Sequence, residues 1–121
     1  MKANELMIGD WVKLNGDPLP QQVQELLFDS VTIQCWPHRY DDIFPIPLTS
    51  EILDKNFEMM ENTYFWKISG RYMVDENFNF GIYYKNDFAT WYSTVGLREL
   101  HYVHELQHLM KDCKINKEIT L

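Results

Sequence analysis

From Tyr64 to Tyr92 the chain is a series of short runs rich in aromatic and β-branched residues, each closed by a turn signal. Tyr64-Phe65-Trp66-Lys67-Ile68 is followed by Ser69-Gly70, and Arg71–Val74 by Asp75-Glu76-Asn77. Phe78–Tyr84 is followed by Lys85-Asn86-Asp87, Phe88–Tyr92 comes last, and Ser93-Thr94-Val95-Gly96 ends the series. A parallel strand needs a crossover of about a dozen residues or more, and these connections are far shorter. The segment is therefore expected to be an antiparallel β-meander. No other feature constrains the fold as strongly.

Upstream, to about Leu48, the pattern gives a small β part. Gly9-Asp10 is a turn signal, and Trp11–Leu14 reads as a short strand. Asn15-Gly16 is a hairpin signal because both residues tolerate positive φ, and Pro18 and Pro20 delay the return. Gln21–Phe28 reads as a strand, Asp29-Ser30 as a turn, and Val31–Trp36 as a half-buried strand with clean alternation. Several short strands in this space suggest a bent, SH3-like sheet. A short helix then follows, with Thr49 as N-cap, Glu51 in the first turn, Ile52 and Leu53 on its apolar face, and Asn56 as a left-handed C-terminal cap. Leu100, Val103, Leu106, Met110 and Cys113 recur at spacings of three and four, widened by Tyr102 and Leu109. They mark an amphipathic helix over about Leu97–Asp112, expected to cover one face of the meander. The reading is an α+β fold in a single domain, 1–121. It comprises a small barrel-like β part (1–48), a helix–meander–helix part (49–113) and a loosely held tail (114–121).

The length of 121 residues favours one domain, and a chain of this size buries enough surface for one real core. Hydrophobic residues at 45% and charged residues at 24% are ordinary for a globular protein. Two values are not ordinary: aromatic residues reach 15%, and 11 basic residues face 18 acidic ones, a formal net charge of -7. That acidity argues against a protein that binds nucleic acid directly by neutralising phosphates, and leaves room for a partner with a basic surface. Cys35 and Cys113 lie far apart with no CxxC pair, which suggests buried thiols in a reducing compartment. Met1–Asp10 does not read as a signal peptide, and no apolar run approaches the length of a membrane span. A cytoplasmic location is expected.

One motif carries chemistry. His104-Glu105-Leu106-Gln107-His108 matches the H-E-x-x-H pattern of zinc-dependent peptidases. In those enzymes two imidazoles one helical turn apart share the metal, and the Glu is general base on its bound water. At helical spacing, His101, His104 and His108 fall opposite the main apolar stripe. A zinc hydrolase also needs a third protein ligand. Downstream of His108 the sequence offers only the carboxylates Asp112 and Glu118, and nothing else reads as an oxyanion stabiliser or a substrate cleft. A solvated helix face explains the pattern as well as a metal does. Elsewhere, Trp36-Pro37-His38-Arg39-Tyr40-Asp41-Asp42 is a polar-aromatic loop whose Trp36, His38, Arg39 and Tyr40 are of the kinds found at interfaces. The meander aromatics read as core and cross-strand packing rather than a base-stacking platform, because Lys67, Arg71 and Lys85 are offset by Asp75, Glu76 and Asp87.

Three segments carry a resemblance, in the same order along the chain. They are Glu5-Leu6-Met7-Ile8-Gly9-Asp10-Trp11-Val12, Ile46-Pro47-Leu48-Thr49-Ser50-Glu51-Ile52-Leu53 with Asn56-Phe57, and Leu100-His101-Tyr102-Val103-His104-Glu105-Leu106-Gln107-His108-Leu109. With them the sequence resembles a group of small uncharacterised proteins of gut Bacteroidetes, their mobile elements and phages. The resemblance implies no activity. It bears on the zinc motif, because the group usually has Asn where this chain has His108 and no fixed acid at Glu105. The expectation is a non-catalytic interaction protein without cofactor, binding a protein partner through an acidic and aromatic surface. The alternative is a small zinc hydrolase with His104 and His108 as ligands and Glu105 as base.

Overall fold

Strand pairing divides the chain more finely than its turn signals suggest. The computed structural model describes residues 1–60, 63–85 and 92–121. Among these, two α-helices and eleven strands in three antiparallel sheets give the α+β class. The contacts define two compact units. One joins Met1–Pro47 to Tyr102–Asn116, and the other joins Leu48–His101 to Lys117–Leu121.

In the first unit, β1 (Trp11–Leu14) lies between β2 (Pro20–Gln22) and β6 (Ile43–Pro45). The chain turns at Asn15-Gly16 as its sequence implies, with Gly16 at φ +80°. A second sheet is built from β3 (Glu25–Leu26), β4 (Val31–Ile33) and β5 (Trp36–His38). The described strands thus form two three-stranded sheets and no closed barrel. Leu6, Val12, Val23, Val31, Ile33 and Ile43 make the core between them.

The run Val31–Trp36 is not one strand. It folds back at Gln34 and Cys35, whose φ values of 53° and 65° are those of a two-residue hairpin turn that matches strand twist. The Cys35 N–H donates to Gln24 Oε1 at 2.7 Å, which helps hold this left-handed turn without glycine. Cys35 is consequently exposed, and Cys113 only half-buried, contrary to the expectation of two buried thiols.

The second unit carries α1 (Ser50–Asn56) and a five-stranded sheet in the order β11-β10-β9-β8-β7. Its strands are β7 (Glu58–Met59), β8 (Phe65–Ser69), β9 (Tyr72–Asp75), β10 (Asn79–Lys85) and β11 (Tyr92–Glu99). The meander is as expected through β10. The strand placed at Phe88–Tyr92 falls mostly outside the described residues. Ser93–Gly96 does not end the sheet but lies within β11, which pairs with β10 as far as Asn79↔Glu99. Phe65, Trp66, Phe80 and Tyr83 are buried, so these aromatics do pack the core. Phe65 and Tyr83 meet at 5.2 Å between ring centroids, and the Tyr83 hydroxyl donates to Gly70 O.

Thr49 caps α1 by accepting the Ile52 N–H. Asn56 departs from its expected role: the helix runs through it, and its amide instead bonds Ile52 O and both backbone groups of Thr120. The segment expected to be a loose tail is therefore docked, with Ile119 buried.

The C-terminal helix α2 spans Val103–Asp112 rather than starting at Leu97, because β11 and the Leu100 N–H bond to Phe78 O hold the preceding residues extended. It belongs to the first unit, with the N-terminal strands. Its end is a Schellman motif: Ile115 N–H bonds Met110 O, Lys114 N–H bonds Lys111 O, and Lys114 sits at φ 58° where glycine is preferred. Lys114→Gly is expected to stabilise the first unit by about 1 kcal/mol, read as a raised urea midpoint. Among the described residues, no helix is long and apolar enough to cross a membrane.

Candidate functional site: the helix α2 histidines and the Gly9–Trp11 turn

Asp10 is the buried charge around which this region is organised, with only 2% of its surface exposed. Its Oδ2 accepts the Met7 N–H at 2.8 Å and faces His108 Nε2 at 2.7 Å. One residue earlier on α2, Gln107 reads the backbone on either side of Asp10. Its Oε1 accepts the Trp11 N–H at 2.9 Å, and its Nε2 donates to Gly9 O at 3.0 Å. A glutamine amide offers this donor–acceptor pair in one plane. Together Gln107 and His108 clasp the Gly9–Trp11 turn onto the helix.

His104 does not stand on the outer face of α2, as helical spacing suggested. It is buried at 7% exposure, alongside Val103, Leu106 and Met110. Its ring stacks on Tyr102 at 5.8 Å and meets His108 edge-on at 5.4 Å. Its Nδ1 is buried and has no hydrogen-bond partner among the described residues. Burial, with His108 adding to it, lowers the His104 pKa below 6.5, while Asp10, Glu105 and Glu5 pull the other way. His104 is thus neutral at neutral pH.

The sign of the linkage follows. The unfolded chain takes up the His104 proton more readily than the folded one, so stability is full above about pH 6.5 and falls as pH drops toward the lowered folded value. Urea midpoints measured across this range should decline on acidification, and His104→Phe should flatten that part of the decline.

The motif's three functional residues therefore have other occupations. Glu105 Oε1 accepts the Tyr102 N–H at 2.8 Å, the acid half of a capping box at the start of α2. His108 is engaged with Asp10, and His104 is packed in the core. Among the described residues, no group of three or more His, Cys, Asp or Glu is arranged to hold a metal ion. His101 falls in the other unit, where its carbonyl accepts the Leu48 N–H. Sequence reading missed Asp10 and Gln107. Gly9-Asp10 signalled only a turn, and nothing in the sequence ties residue 10 to residue 108.

The loop singled out for partner binding divides in two. Trp36 is 71% exposed, and Arg39 is exposed as well. Tyr40 turns inward against the core, with its hydroxyl donating to Leu27 O, and His38 is half-buried on β5 opposite Val31. A further exposed aromatic, which the sequence did not single out, lies at the other turn of this sheet. Phe28, at the turn between β3 and β4, is fully exposed. Comparison with family models, with curated proteins and with solved structures finds no match to this chain.

Proposed function

We propose that the chain is a non-catalytic interaction protein that binds a protein partner through the β3–β4–β5 sheet. The observation that carries this reading is the exposure of Phe28 and Trp36 at the two turns of that one small sheet, with Leu27 also exposed beside Phe28. Exposed aromatics are costly in water and are the side chains that anchor protein interfaces. Glu25 and Asp29 are exposed on the same sheet and turn, and the chain carries a net charge of -7. A partner with a basic rim around an apolar pocket fits this chemistry.

The test is affinity capture from the source cells with the wild-type chain and with the double variant Phe28→Ser, Trp36→Ser, quantified by mass spectrometry. Both sites are exposed, so the variant should keep its circular dichroism spectrum. The expected result is a basic protein, released by salt, whose recovery falls at least tenfold with the variant, as loss of an aromatic anchor worth about 2 kcal/mol requires. Recovery of the same proteins in the same amounts by both chains would overturn the reading.

A further inference from the structure

A groove of about 450 Å³ opens on the outer face of β1 and β2 in the first unit. Strand alternation produces it. Trp11 pairs with Gln22, so their side chains share one face, while Val12 and Val23 point the other way into the core. The ladder continues past β2, because Val23 bonds both Asp10 O and the Gly9 N–H. That continuation brings Gln24 to the Trp11 side. Ile8 and Pro20 complete the wall. In a chain this acidic, the groove is lined without a single charged side chain.

The two amides are held with opposite ends outward. Gln22 donates its Nε2 to Gly9 O at 3.1 Å, which leaves its Oε1 as an acceptor. Gln24 spends its Oε1 on the Cys35 N–H at 2.7 Å, which leaves its Nε2 as a donor. Neither remaining atom has a protein partner among the described residues. Backbone contacts fix both orientations before any ligand arrives, so little side-chain entropy is lost on binding.

We propose that this groove binds an uncharged carbohydrate. A sugar ring presents C–H bonds that pack on an indole face and hydroxyl groups that each donate and accept. An acceptor from Gln22 and a donor from Gln24 beside Trp11 meet both needs. A neutral lining neither attracts nor rejects an ion, which suits a ligand without charge. The volume lies in the range of small-molecule sites, about 300–1,000 Å³. The groove reaches from β1 and β2 to Gln34 in the β4–β5 turn, and the proposal does not depend on the reading of the exposed aromatics.

The test is an NMR titration of the full chain, isotope-labelled, with maltotetraose, cellotetraose, chitotetraose and mannotetraose, each to about 10 mM. An uncharged Gly-Ser peptide with blocked ends is the control. Trp11→Phe identifies the Trp11 indole resonance. The decisive variant is Gln24→Glu, which keeps an oxygen for the Cys35 N–H and removes the outward donor. The expected result is that at least one sugar shifts the Trp11 resonance, that the peptide does not, and that Gln24→Glu weakens the sugar at least tenfold with an otherwise unchanged spectrum. The proposal is overturned if no sugar shifts the resonance, if the peptide shifts it as strongly as the sugars, or if Gln24→Glu binds as the wild type does.

Discussion

Asp10→Ala is expected to cost the first unit about 3 kcal/mol, because it leaves two donors in a largely buried place without their acceptor. The carboxylate is almost wholly buried and serves two donors at once, the Met7 N–H and His108 Nε2. Alanine leaves both without an acceptor, and water does not readily replace it, because the His108 side chain is only 24% exposed. Asp10→Asn keeps an acceptor and loses the charge, so its cost should fall between the wild type and alanine. Urea denaturation gives the size of the effect, and amide hydrogen exchange gives its place. Protection should fall first in α2 and at the Gly9–Trp11 turn. An Asp10→Ala chain within about 0.5 kcal/mol of the wild type would mean that the clasp contributes nothing.

Gly81→Ala should be equally severe in the second unit. A Cβ built at Gly81 would sit 2.1 Å from Val95 O and 2.9 Å from the Gly96 Cα, both backbone atoms of the neighbouring strand. No rotamer relieves such a contact. The strands must part where β10 and β11 already shift register, between Phe80 and Gly81. An overpacking cost of about 3 kcal/mol is expected, the opposite of the gain that alanine usually brings in a strand. Gly96→Ala is the control on the partner strand. Its Cβ would meet nothing closer than Asn79 Cβ at 3.6 Å, so the effect should be small. Unfolding curves of the two variants decide the point, and Gly81→Ala should also lose exchange protection along β11.

These two sites show where sequence reading stops. The meander is legible because its information is local, in alternating aromatic runs and turns such as Ser69-Gly70. The end of α2 at Asp112 is legible from the apolar stripe, even though Lys114 beyond it holds a position normally signalled by glycine. The hairpin at Gln34-Cys35 is hidden, since neither residue announces a left-handed conformation. The start of α2 was misplaced because Leu100 fits the helical stripe, yet it is buried in the other unit, where its N–H bonds Phe78 O. Periodicity counts apolar positions and does not say which neighbour covers them.

The candidate site was legible in its residue types and not in their use. His104, Glu105 and His108 match a catalytic pattern. What they do is set by Asp10 and Tyr102, a distant partner and a helix cap that spacing within the motif does not reveal. The aromatic surface was half legible. Trp36 stands out beside its polar loop, whereas Phe28 hides in a Leu-Leu-Phe run that reads as core.

The contacts of Gln107, His108 and Glu105 make the His104–His108 helix a structural clasp. Calorimetric titration of the untagged full chain with zinc tests that role most directly, with His104→Ala and His108→Ala alongside. No stoichiometric site tighter than about 10 μM is expected in the wild type. One equivalent of zinc bound well below that level, and lost in both variants, would contradict it.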